Sequence, residues 1–459
     1  MNNSQDSRLG KESIVKLIFA LGLPSILAQL INVLYNIVDR MYIGHIAEIG
    51  DLALTGVGVT FPIIMVISAF SALAGFGGAP LASIKLGEQD KEGAEKILGS
   101  STALLLVFSV VLTIGFLIFK EPLLYLFGAS DNTIVYANSY ITIYLFGTIF
   151  VQLALGLNSF ISAQGFAKTA MLSVLIGAIT NIVLDPIFIF GLNLGVNGAA
   201  LATIISQCVS AIWVVRFLLS SKSIIRIKKH NIKLNKKVIL SIAALGISPF
   251  IMQTTESLIN IVFNVGLQKY GGDLYVGSMT ILTSVMQLLV VPIQGFTMGV
   301  QPLISYNFGA KNYDRVKKAF KILIGTTFTV STLGCLFAIA FPEILVSLFT
   351  QKSELVALTS KMLPIFFAGM WAFGIQMGCQ STFMALGQAK ISLFLALLRK
   401  VILLIPLALI LPIFFKVTGI YYAEPIADIL ASATTLIVFI FSYKKILGEG
   451  IKKKEKLSA

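Results

Sequence analysis

Residues 169–190 read TAMLSVLIGAITNIVLDPIFIF, a run in which Asp185 is the only charged residue. As a helix this stretch rises roughly 33 Å at ~1.5 Å per residue, enough to cross a hydrocarbon core of about 30 Å. Its apolar residues do not alternate, which excludes a barrel strand. Similar runs occupy about 14–38, 52–80, 97–119, 134–157, 197–217, 238–266, 275–302, 319–341, 357–380, 391–414 and 419–443. The sequence therefore predicts an all-α integral membrane protein with twelve transmembrane helices. Composition agrees: of 459 residues, 56% are hydrophobic and 12% charged. A soluble domain is about a quarter charged, so a soluble enzyme, a nucleic-acid binder and a disordered chain are excluded. The run 14–38 is too long for a signal peptide and lacks a small-residue cleavage site, so it counts as a span.

The net charge of +14 comes from 35 Lys and Arg against 21 Asp and Glu. With the N-terminus inside, the inner segments hold 29 of these positives and the outer ones 6, namely Arg40, Lys120, Lys269, Lys352, Lys361 and Lys416. That asymmetry orients the chain with both termini in the cytoplasm of a bacterial plasma membrane. The basic charge is thus a topology signal, and no nucleic-acid partner is expected. Cys208, Cys335 and Cys379 all fall in apolar runs and read as small packing residues.

The polar stretch 220–237 separates two halves that resemble each other. Leu21-Gly22, Gln29 and Asn36 align with Leu245-Gly246, Gln253 and Asn260 at an offset of 224. Pro80-Leu81, Gly87, Phe127, Gly147, Gly165, Ala167 and Lys168 align with Pro302-Leu303, Gly309, Phe349, Gly369, Gly387, Ala389 and Lys390 at 222. The expected organisation is two pseudo-symmetric six-helix lobes: an N-lobe at 1–219, a basic cytoplasmic linker at 220–237, a C-lobe at 238–443 and a basic cytoplasmic tail at 444–459. Six spans per half make the repeats parallel, a plan typical of alternating-access carriers with a site between lobes. A duplication kept only for folding is the alternative.

Charge inside a bilayer costs roughly 2.5–3.5 kcal/mol on insertion scales, so acids within spans are functional candidates. Five qualify: Asp39, Asp185, Glu256, Glu424 and Asp428. Span 1 carries Ser25, Gln29, Asn32, Asn36 and Asp39 on one helical face, and span 7 carries Gln253, Glu256, Asn260 and Asn264. Span 5 places Asn181 one turn from Asp185, and span 6 carries Thr203 and Gln207. Asp185 and Thr203 both sit about 9 Å below the outer surface by helical rise, and Asp39 closes span 1 on that side. Two carboxylates with amide and hydroxyl oxygens can hold a proton or a hard cation such as Na⁺. Asn158, Met286 and Gln287 complete the candidate cavity lining, and Phe160, Met252, Met279, Met370 and Phe373 are further apolar candidates. A hydrogen-bonded seam, or packing, is the bland alternative for each. Glu424 and Asp428 are expected to pair with Lys416 or with each other. Arg399 and Lys400 are expected to snorkel to the inner surface.

No glycine-rich loop ending in Gly-Lys-Ser/Thr is present, so ATP does not power this chain directly. The two histidines, His45 and His230, lie in predicted loops, which disfavours haem, zinc and embedded-enzyme chemistry.

The strings NIVDRMYIGH (36–45), NIVLDPIFIF (181–190) and VNGAALATIISQ (196–207), with Pro24 and the two six-helix halves, resemble the multidrug and toxic compound extrusion (MATE) family in its bacterial MepA-like branch, over essentially the whole chain. The resemblance implies a V-shaped pair of lobes, acting as a monomer, that exports cationic or amphipathic drugs against H⁺ or Na⁺ with no other cofactor. It also implies an ion site at Asp39, Asn181, Asp185 and Thr203. Some members add acids on spans 7 and 10; here span 10 has only Gln376 and Gln380, which favours N-lobe coupling. A flippase for lipid-linked sugars or precursors on a related fold is the alternative function.

Overall fold

The computed structural model describes residues 8–458, apart from the side chains of Ser257, Lys444 and 447–458. The tail cations Lys452, Lys453, Lys454 and Lys456 therefore lie outside the described side chains. No strand occurs among the described residues. In chain order the helices are α1 (Ile14–Gly44), α2 (Gly50–Gly87), α3 (Lys91–Leu126), α4 (Ile134–Phe146), α5 (Thr148–Ala163), α6 (Ala167–Pro186), α7 (Val196–Leu219), α8 (Lys236–Gly271), α9 (Asp273–Gly309) and α10 (Tyr313–Ala340). Then follow α11 (Pro342–Ser347), α12 (Ser353–Phe367), α13 (Met370–Ala385), α14 (Ala389–Leu397), α15 (Ile405–Phe415) and α16 (Val417–Ser458). Wider π-helical turns follow α6 at Ile187–Gly191 and join α14 to α15 at Leu398–Leu404.

Ten of these segments are long and apolar enough to cross a membrane, and two bent pairs bring the number to as many as twelve. The runs 134–157 and 357–380 are not straight. α4 and α5 meet at 59°, and α12 and α13 at 46°. The breaks fall at Gly147 and Gly369, already paired by the repeat. A Cβ on Gly369 would come within 2.6 Å of the Pro425 backbone, so a glycine is needed where α16 passes. Several helices also outrun their apolar segments. α2 has 38 residues and α3 has 36, more than the ~20 that span the hydrocarbon. Asp90 opens α3 by accepting from the Gly93 amide at 2.8 Å, and that bond holds its carboxyl below the usual range.

The chain forms two compact units. One comprises Met1–Lys11 and Leu27–Gln253, the other Glu12–Ile26 and Thr254–Ala459. Their borders fall inside α1 and α8 rather than in the linker. In the first unit the start of α8 crosses α2 where Gly246 meets Leu73 and Gly77. In the second, the start of α1 crosses α9 where Gly22 meets Phe296 and Gly299. Small residues permit such close approach of helix backbones. The repeat recurs in hydrogen bonding. Ser83 Oγ donates to Ala163 O at 2.7 Å, and Ser305 Oγ to Ala385 O at 2.8 Å.

The stretch after α7 is anchored to the first unit. Gln164 Oε1 accepts from Ser223 Oγ, Ile224 N and Ile225 N at 3.0, 2.7 and 3.1 Å. Lys228 reaches the buried Glu95 at 2.5 Å. Its basic composition alone does not foretell this docking.

Gly246→Ala adds a methyl that overlaps Leu73 O, a backbone atom. It is expected to cost about 1–3 kcal/mol and lower the melting midpoint in detergent. Gly115→Ala, with nothing within 4 Å of the new methyl, is the control and is expected to melt as the parent does.

Candidate functional site

In the first unit, Asp39 on α1 and Asp185 at the end of α6 are neighbours. Both are buried, at 9% and 0% exposure. Asn181, one turn before Asp185, donates Nδ2 to Asp185 Oδ1 at 3.2 Å. Asp39 Oδ1, Asp185 Oδ2 and Asn181 Oδ1 are buried and accept no hydrogen bond. Thr203 donates its hydroxyl to Ala199 O at 3.0 Å and lies beside the Tyr140 hydroxyl. Among the described residues neither carboxylate is in a salt bridge. Arg40 instead stands over the Phe61 ring, 5.3 Å from its centroid.

Buried acceptors without donors are costly, and two adjacent carboxylates repel. One proton between them removes a charge. Oxygen donors of this kind suit a hard monovalent cation. The donor set therefore fits a proton or Na⁺. Asn181 and Asp185 are held there by the α6 register, and the π turns from Ile187 follow Pro186 directly. Tyr140, buried on α4 in the neighbourhood of both carboxylates, is not singled out by the sequence. Its available signal was a phenol inside an apolar run, one turn from Tyr144, whose ring it stacks on at 6.4 Å.

The other sequence candidates are more dispersed. Gln29 and Asn32 are half-buried, and Asn36 is exposed, donating to Asn32 O at 2.6 Å. Asn158 ties α5 to α6, donating to Ala170 O at 3.2 Å and accepting from Ser173 Oγ at 3.0 Å. Gln207, Gln253 and Met286 are half-buried; Glu256, Asn260 and Gln287 are exposed. Phe160, Met279, Met370 and Phe373 belong to the packed interior. Met252 is half-buried.

The second unit holds a charge cluster that corrects two expectations. Arg399 and Lys400 do not snorkel. They sit ten or eleven residues into the span that begins at Ala389, roughly 15 Å along it, and each is 7% exposed. Their side chains are too short to reach the surface from that depth, and acids are supplied beside them. Arg399 Nε donates to Asp428 Oδ1 at 2.7 Å and Nη2 to Glu424 Oε1 at 2.9 Å. Its guanidinium lies 4.9 Å from the Phe373 ring centroid. Lys400 Nζ pairs with Glu256. Glu424 and Asp428 thus pair with Arg399, not with Lys416 or each other. The two cations are neighbours in sequence, and the π turns at Leu398–Leu404 carry both inward.

Comparison with known proteins places the whole chain in a family. The MatE family model matches residues 24–187 and again 249–410. The multidrug export protein MepA of Staphylococcus aureus (strain NCTC 8325 / PS 47) is 28% identical over 447 residues, 96% of this chain and 97% of that one. Its Staphylococcus saprophyticus counterpart is 26% identical over 441 residues, 96% and 97% of the two chains. Among solved structures, MATE in a bent conformation superposes with a TM-score of 0.91 at 23% identity, covering 98% of this chain and 99% of that one. An outward-facing multidrug resistance MATE transporter gives 0.87 at 24%, covering 96% and 98%.

The two clusters call for opposite responses to substitution. Asp39→Asn removes a like charge and places an amide donor beside the Asp185 orphan oxygen. Melting at pH 8 without sodium is expected to show a gain of about 1–2 kcal/mol; a loss contradicts it. Arg399→Met strands Glu424 and Asp428 and is expected to lose about 3–5 kcal/mol in the same assay.

Proposed function

The chain belongs to the MatE family of multidrug and toxic compound extrusion transporters, and from that membership we propose that it is a secondary active multidrug exporter, not an enzyme. It exchanges cationic or amphipathic organic compounds for H⁺ or Na⁺ by alternating access. The observation that carries the coupling is the set of orphan oxygens on Asp39, Asn181 and Asp185. The ion binds there, with Thr203 as a further oxygen donor and Tyr140 beside it. Charge balance makes the step reversible. Loss of the ion restores repulsion between the carboxylates, which favours a different packing of α1, the helix that carries both Asp39 and Pro24.

The setting is a bacterial plasma membrane with both termini cytoplasmic, supported by the distribution of Lys and Arg. In this proposal lobes 1–219 and 238–443 are joined by the 220–237 linker, the 444–459 tail stays cytoplasmic, and a monomer suffices. The flippase alternative needs cations free to grip a pyrophosphate. Arg399 already holds two carboxylates and Lys400 a third, which disfavours it.

Purified protein in vesicles loaded with ethidium is tested under a pH gradient alone and a Na⁺ gradient alone. One gradient is expected to drive export, and Asp39→Asn or Asp185→Asn to slow it at least about tenfold. No response to either gradient, or wild-type rates in both variants, contradicts the proposal.

A further inference from the structure

The charge cluster of the second unit is not used by the ion exchange just described. It contains three acids, Glu256, Glu424 and Asp428, and two bases, Arg399 and Lys400. Fully ionised, it is one positive charge short of balance.

Its members are held very unequally. Arg399 is fixed by two carboxylates and the Phe373 ring. Lys400 has one ion-pair partner, and that partner is the open one. The Glu256 side chain is 56% exposed, whereas those of Glu424 and Asp428 are 7% and 2%. Asn260 and Asn264, one and two turns on, share the exposed face of α8 with Glu256. An arriving solute therefore meets a carboxylate first, with an ammonium behind it.

We propose that Lys400 is a tethered counter-ion that competes with organic cations for Glu256, and so sets the affinity and charge preference of the transporter. A monovalent organic cation takes over Glu256, and the freed ammonium turns to Glu424 and Asp428, the two acids held by Arg399, its neighbour in sequence. Three acids are then matched by three cations. Drug departure would leave the Glu256 carboxylate without a cation, so Lys400 returns to it, and release is assisted without a second ion. The substrate class is a single delocalised or quaternary positive charge. An anion meets Glu256 and is repelled. This inference rests on the export function proposed above.

The test is direct binding to protein in lipid nanodiscs, with ethidium as the monocation and Nile red as an uncharged dye. Lys400→Met is expected to tighten ethidium about tenfold and leave Nile red unchanged. Glu256→Gln weakens ethidium about tenfold, and the double variant binds as weakly as Glu256→Gln alone. The charge-swapped Glu256→Lys/Lys400→Glu protein keeps an ion pair, guards against a folding defect, and is expected to lose ethidium binding. Ethidium binding no tighter in Lys400→Met, or equal tightening of both dyes, overturns the counter-ion role. Retained binding by the swapped protein overturns it too. Vesicle export separates the two proposals. Export with the wrong binding pattern contradicts Lys400 alone, whereas absence of both binding and export contradicts the transporter function beneath it.

Discussion

A carboxylate removed from water must find a positive charge. The two units of this protein meet that requirement in different ways. Around Asp39 and Asp185 no cation is built in, and three acceptor oxygens are left without donors. Around Glu424 and Asp428 a guanidinium is fixed at 2.7 and 2.9 Å. The first arrangement is unstable unless something arrives from outside. In the second every acid has a built-in partner, though Glu424 and Asp428 share one guanidinium and Glu256 takes Lys400. The proposed ion exchange is assigned to the first and the proposed solute recognition to the second, for the same electrostatic reason.

The scaffold beneath these clusters is nearly the same. Gly22 with Gly299, and Gly246 with Gly77, make equivalent helix crossings, so each unit borrows the opening turns of a helix whose remainder lies in the other. π turns occur on the corresponding helix of each half, after Asp185 in one and at Arg399 and Lys400 in the other. Local widening of a helix re-aims adjacent side chains, and such segments are frequent at functional sites. The duplication thus supplies two frames, and a handful of ionisable residues makes them differ.

Much of this was legible from composition and spacing. A lone Asp185 in a long apolar run marks both a span and a candidate site residue. The Asn181–Asp185 spacing places both on one face, and their hydrogen bond follows. The repeat pairs Gly147 with Gly369, though only the structure shows both as breaks between bent helices. Contacts between distant segments were less legible. Arg399 and Lys400 look like edge residues because a sequence scan has no partner to offer them, while Glu424 and Asp428 lie a whole helix away. Tyr140 hides among aromatic residues that contact lipid or core. The docking role of Gln164 depends on backbone amides, which carry no sequence signature.

The central claim is that the Asp39–Asp185 pair is completed by an exchangeable cation. Infrared difference spectroscopy of the purified protein tests this most directly, by following the protonated-carboxyl band as pH is raised or Na⁺ is added. One carboxyl proton is expected to leave in the wild type, with no corresponding signal in Asp39→Asn or Asp185→Asn. Absence of that change in the wild type, or its persistence in both variants, contradicts the account.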